Sequence, residues 1–112
     1  MFTAFGDDPE KRQKAFNTGA SAYMFKGDYE QAVLIGRCTV KANPDYSAGY
    51  KPLIGALGHL GRAEEARPYI DKLLSLEPHF TVEHHAKTYP FQRASDRRRY
   101  MRGLLLAGVP AR

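Results

Sequence analysis

The sequence predicts an all-α chain built from a repeated pair of helices, and three observations predict it. Like residues recur at a fixed spacing of 34 positions: Phe16 with Tyr50, Tyr23 with Leu57, Gly27 with Gly61, Ala32 with Ala66, and Pro44 with Pro78. The stretches between these markers have helical length and helical period. Each glycine stands where one helix must end and the chain turn back, and each proline stands just past the next helix.

The elements follow in order. Asp8 before Pro9 supplies a capping acceptor and a proline at the first helical position, which starts a helix over 9–26. Gly27 closes it, because glycine enters the left-handed region without a Cβ penalty. A second helix runs over 29–42, with Ala32 small enough for close approach to the first, and Pro44 forbids its continuation. The same grammar gives helices over 47–60 and 63–76, with Gly61, Ala66 and Pro78 in the same roles. Repeat one thus covers about 13–46 and repeat two about 47–80. Beyond Pro78 the pattern degenerates. A short helix over 81–88 with Thr81 as its cap is interrupted by Tyr89-Pro90-Phe91. A last helix, capped by Ser95 or Asp96, places Tyr100, Met101, Leu104 and Leu105 on one apolar face and stops at Gly108. Tyr100 follows Ala66 by the same 34 positions, so 81–108 reads as a degenerate third unit that closes the exposed end of the stack. The whole chain, 1–112, is expected to be one domain.

Composition narrows the function classes. The chain has 112 residues, 43% hydrophobic and 26% charged, enough for one modest core. No apolar run approaches the roughly 18 residues of a membrane span, and the acidic N-terminal stretch lacks the features of a secretory signal, so a cytoplasmic location is expected. Cys38 alone excludes a disulfide framework and a multi-cysteine metal site. The net charge of +5 is entirely in the tail: residues 1–90 balance eleven bases against eleven acids, and the last 22 carry six arginines against Asp96. A stripe such as Arg97 to Arg102 suits either a solvated helix face or an anionic partner, but only Tyr100 is available there to stack on bases.

These spacings and residue types resemble the tetratricopeptide repeat, a helix-turn-helix unit of about 34 residues. The bulky, small and aromatic positions of its first helix fall on Phe16, Gly19, Ala20 and Tyr23, followed by Gly27, Tyr29, Ala32 and Pro44. In the second copy they fall on Tyr50, Leu53, Ile54 and Leu57, then Gly61, Ala66, Ile70, Leu73 and Pro78. Gly19, Gly36 and Thr39 depart from the family's usual large, aromatic and alanine residues, which loosens the first copy and leaves its turns intact. The resemblance implies an α-α superhelix that binds other proteins and has no catalytic role or cofactor.

A second resemblance lies in the tail. Leu76-Glu77-Pro78-His79-Phe80-Thr81-Val82, Tyr89-Pro90-Phe91, Arg99-Tyr100-Met101-Arg102-Gly103-Leu104 and Ala107-Gly108-Val109-Pro110 are similar to the C-terminal repeat region of bacterial adenylate/guanylate cyclases. This implies a fragment or separated relative of such a protein, in a regulatory or scaffolding part. None of the cyclase catalytic residues has a matching position here.

The remaining candidates for chemistry have structural explanations. His79, His84 and His85 cluster near Glu83, with His59 in the preceding repeat, but adjacent histidines on a helix diverge and no His-Glu-x-x-His pattern is present, so no metal is expected. Cys38 reads as a small buried thiol. Gly55, Gly58 and Gly61 lack the context of a phosphate loop and instead permit close approach by a neighbouring helix or a ligand backbone. Asp7, Asp8, Glu64 and Glu65 sit at helix starts, where the helix dipole favours acids. No nucleophile with its base and orienting group is found, so no enzyme is expected.

In the resembled family the first helices line a concave groove. That geometry assigns Lys14, Asn17, Ser21 and Met24 to the groove from repeat one, and Lys51, Gly55, Gly58 and His59 from repeat two. Such a groove either accepts an acidic peptide or packs against further repeats. Two other functions compete: self-association into a homodimer through Phe16, Tyr23 and Phe25 on the first helix, and nucleic-acid binding through the arginine stripe.

Overall fold

The computed structural model describes residues 9–91 and 93–112, with side chains described from residue 18 onward. Among these residues the chain is all-α and carries no strand. The helices are α1 Pro9–Lys26, α2 Tyr29–Ala42, α3 Tyr50–His59, α4 Ala63–Leu76, α5 Val82–Thr88 and α6 Ala94–Ala107. Asp8, the expected cap of α1, lies outside the described residues.

The turns repeat at the level of single hydrogen bonds. Gly27 (φ 85°) donates to the Met24 carbonyl at 3.1 Å, and Asp28 donates to that of Tyr23 at 2.9 Å. At positions 34 further on, Gly61 (φ 71°) donates to Gly58 at 3.1 Å and Arg62 to Leu57 at 2.9 Å. This paired pattern satisfies carbonyls at the end of a helix, and the left-handed φ it needs is why glycine stands there. Gly108 (φ 103°) and Val109 end α6 the same way, donating to Leu105 and Leu104 at 3.1 Å each.

The two hairpins α1–α2 and α3–α4 pack in sequence, α3 lying against α2. Ala32 and Ala66 are fully buried at the points where each second helix meets its neighbours. A Cβ on Gly36 would stand 2.8 Å from the Cβ of Leu53, so the glycine sets how near α3 comes to α2. The core is continuous from Met24, Val33, Leu53, Ile54 and Leu57 through Leu73 to Tyr100 and Leu104.

Four sequence expectations need correction. The third helix does not run uniformly from Ser47: a 3-10 turn, Ser47–Gly49, precedes α3. Pro52 has no N–H to donate, so it is accommodated within the first turn of an α-helix beginning at Tyr50. The last helix starts at Ala94 after Arg93, which holds an extended backbone with no side-chain cap; Ser95 and Asp96 are already helical. Its buried face is Tyr100, Gly103, Leu104 and Ala107, while Leu105 is 48% exposed. Cys38 is exposed because α2 buries Ala32, Val33, Gly36, Thr39 and Val40, and Cys38 lies on the other side of that helix with Leu34.

The closure after Leu76 is tied from several directions. Phe80 and Val82 enter the core. The first amides of α5 have partners: Val82 and Glu83 donate to the carbonyls of Pro110 and Ala111 at 2.9 Å each, and His84 donates to the Thr81 hydroxyl at 3.1 Å. Helix α6 crosses α3 backbone to backbone. A Cβ on Gly58 would overlap the carbonyl oxygen of Gly103 and stand 2.9 Å from the Ala107 amide nitrogen, and a Cβ on Gly103 would overlap the Gly55 carbonyl. Exposed helix interiors gain up to about 1 kcal/mol from Gly→Ala. Here Gly58→Ala is expected to lose about 2 kcal/mol, because α6 must move away from α3. Urea unfolding with a lowered midpoint and unchanged slope is the expected measurement.

Candidate functional site

The residues assigned from sequence to a groove divide into three sets. Lys14 and Asn17 belong to α1, but their side chains lie outside the described residues, as does that of Phe16 from the self-association set. Met24 is fully buried, and Ser21, 8% exposed, reaches solvent only at the wall of a hollow beside α1. Lys51, Gly55, Gly58 and His59 do lie along one side of the molecule, and that side is occupied by the chain itself.

Each contact on that side has a physical cause. The Lys51 ammonium pairs with Glu77 at 3.1 Å and lies 4.8 Å over the Phe80 ring, with its side chain 14% exposed. The Glu77 carboxyl sits below the usual range: burial pushes it up, but hydrogen bonds from Ser47 and Lys51 outweigh that. Gly55 and Gly58 are covered by the α6 backbone. His59 Nε2 bonds the Arg99 carbonyl at 2.6 Å, and its ring stacks on Tyr29 with centroids 4.4 Å apart and planes 9° apart. Arg99 donates from Nη1 to the Phe25 carbonyl at 2.7 Å, tying the start of α6 to the end of α1. Thus α6 engages Gly55, Gly58 and His59, and Glu77 and Phe80 engage Lys51, within the chain itself. The three glycine contacts that permit this are between segments far apart in sequence.

The self-association residues are also engaged internally. Phe25 packs edge-on to Phe91 at 6.3 Å and against Tyr100 at 5.7 Å, and Tyr23 is half-buried against the core. Both contribute to the fold of one chain.

The three tail histidines do not form one cluster: His79 and His84 border one small hollow, and His85 is buried. His84 is exposed, whereas His85 is 5% exposed within a cluster of Phe80, Tyr89, Phe91 and Tyr100 rings at 5.1–6.0 Å. Burial pushes the His85 imidazole down to about 4, aided by the Lys51 ammonium and opposed by Glu77, and its Nε2 has no partner among the described residues. No group of three His, Cys, Asp or Glu side chains suited to hold a metal ion occurs among the described residues.

Several hollows are open among the described residues. A small one, of about 190 Å³, is bounded by Glu77, His79, Phe80 and His84. Two larger ones lie against the tail. One, of about 280 Å³, lies between α1 and the Tyr89–Phe91 break: Thr18, Ser21, Ala22 and Phe25 form one wall, with Tyr89, Phe91 and Asp96 opposite. Among the described residues, Ser21 is the one member of the sequence-assigned groove that lines it. Thr18, Ala22 and Phe25 are spaced as one helical face, a signal present in the sequence; the opposing wall depends on how the tail folds back. The second, of about 420 Å³, lies between Ile70 and Leu74 of α4 and Ala107 and Pro110 of the tail. The outer side of α6 carries Arg97, Arg98 and Arg102, all exposed.

Among the described residues, no helix is long and apolar enough to cross a membrane. No family model matches the chain, and no solved structure matches it.

Proposed function

We propose that the chain is a non-catalytic, protein-binding helical module of tetratricopeptide type, and that it belongs to the C-terminal regulatory or scaffolding part of a bacterial nucleotide cyclase-like protein acting in the cytoplasm. The observation that carries this reading is the recurrence of the same glycine-capped turn, bond for bond, at positions 34 apart. Two helical hairpins that turn by one device and pack in sequence are what such a superhelix requires. The cyclase reading draws support from the tail: Phe80, Val82, Tyr100, Leu104, Ala107 and Val109, all among its quoted residues, are buried in the closing contacts.

With the side of α3 covered by α6, the inner face of α1 beside the Tyr89–Phe91 break is where a peptide enters. It offers hydroxyls from Thr18 and Ser21 beside aromatic surface from Phe25 and Phe91, a mixture that suits an extended segment with one apolar anchor. The immobilised full chain is expected to capture a defined protein saturably, with free chain competing. Ala22→Arg, at an exposed position on the wall of the hollow, should weaken that capture at least tenfold while leaving the circular dichroism unchanged. Capture that never saturates, or that Ala22→Arg leaves unaltered, refutes this reading.

A further inference from the structure

Elsewhere on the surface, much of the positive charge is matched, although Lys41 and Arg67 form no ion pair among the described residues. Arg37 and Arg62 bind Glu65, Arg62 also reaches Glu30, Lys72 pairs with Asp45 and Lys87 with Glu83. On α6 the unmatched cations are concentrated on one helix. Arg97, Arg98 and Arg102 form no ion pair among the described residues, although the whole excess charge of the chain lies in this segment. The same side of α6 carries Leu105 and Leu106, 48% and 49% exposed, two of the three large hydrophobic residues exposed among those described.

These residues form one stripe. Arg98 and Arg102 are four apart, Leu105 follows Arg102 by three and Leu106 by four, so they share a helix face about two turns long. Its opposite face is already spent: Tyr100, Gly103, Leu104 and Ala107 are buried against α3 and the core. A face that is cationic at one end and apolar at the other has a complement of definite chemistry.

We infer that the outer face of α6 docks an acidic amphipathic helix, whose carboxylates meet Arg98 and Arg102 and whose apolar side chains meet Leu105 and Leu106. Guanidinium groups pair with carboxylates in a two-pronged geometry that rewards an ordered partner. The leucines give that partner a register that charge alone does not supply. A nucleic acid has no use for the paired leucines, and α6 offers it no row of aromatic rings. A bilayer surface needs a broad free apolar side, and α6 leaves only Leu105 and Leu106 outside, its larger apolar face being turned inward. This inference uses other residues than the hollow beside α1, and the two stand or fall separately.

The experiment uses the full chain and a fluorescein-labelled 20-residue helical peptide with leucine at every third or fourth position and glutamate flanking it. Its companions are a lysine-for-glutamate version, a scrambled version, a single-stranded 20-nucleotide DNA, and vesicles of phosphatidylcholine with 30% phosphatidylserine. The acidic peptide is expected to bind best and to weaken at least fivefold on raising NaCl from 50 to 300 mM. R98E/R102E should weaken it at least tenfold and gain binding to the lysine version. L105S/L106S should weaken it at least fivefold, and Ala22→Arg should leave it unchanged. Thermal melts that overlay the parent chain show that these exposed substitutions leave the fold intact. Equal binding of the acidic and scrambled peptides, indifference to R98E/R102E, or tighter binding of DNA or vesicles than of the acidic peptide overturns the inference.

Discussion

Tyr100→Ala is expected to destabilise the chain by about 3–5 kcal/mol, the range for truncating a large aromatic side chain in a core. Tyr100 is 1% exposed and is the largest fully enclosed side chain among the described residues. Its ring lies 5.3–5.8 Å from those of Phe25, His85, Tyr89 and Phe91, so one truncation strips contacts from α1, α5, the break and α6 together. Burial, with the neighbouring Tyr89, also holds its phenol well above the ordinary value, so the group stays neutral through the useful pH range. Urea titration followed by circular dichroism measures the loss. Tyr100→Phe keeps the ring and is expected to cost about 1 kcal/mol or less. A Tyr100→Ala chain as stable as its parent would mean that the tail does not pack as described.

The second large effect is acid lability centred on His85. In the folded chain its imidazole titrates near 4, against an ordinary value of 6.5. Below pH 6.5 the unfolded chain takes up a proton that the folded chain refuses. This contribution is therefore complete above about pH 6.5, falls progressively as pH drops, and is gone once pH passes through about 4. The difference amounts to roughly 3 kcal/mol, at about 1.4 kcal/mol per pH unit. Glu77 and Lys51 face the same region and are not altered by the test. His85→Phe keeps an aromatic ring among Phe80, Tyr89, Phe91 and Tyr100 and removes the titration. Unfolding free energies of the two chains measured from pH 7 to pH 4 should diverge by that amount, with the parent chain falling faster. Parallel curves would place His85 in contact with water.

How much of this was legible from sequence depends on the range of the interaction involved. Helix bounds at Lys26, Tyr29, Ala42, Ala63 and Leu76 follow from glycine, proline and period, all read within a few residues, and they stand in the structure as expected. The start of α6 was misplaced because Arg93 caps it with backbone alone, and no residue type announces that. Cys38 was expected inside because its apolar neighbours are real; Leu34 on the same side of α2 is exposed with it, and which of two apolar faces turns inward is decided by what packs there. The glycines of α3 signalled a close approach correctly, but Gly103 as the approaching partner is set by tertiary packing. That one long-range contact covers Gly55 and Gly58 and engages His59, while Glu77 and Phe80 hold Lys51; among residues whose side chains are described, Ser21, on the wall of the hollow beside α1, is the overlap between the expected and the open sites.

Stacks of repeats in which each unit meets only its neighbours are able to peel from either end, one hairpin at a time. The bond from Arg99 to Phe25 joins residues 74 apart and bends that row into a closed ring, with α6 resting on α1, α3, α4 and α5 at once. A ring has no free end from which to unravel. Melting should accordingly be a single event, in which probes on the first hairpin and on the tail report the same midpoint.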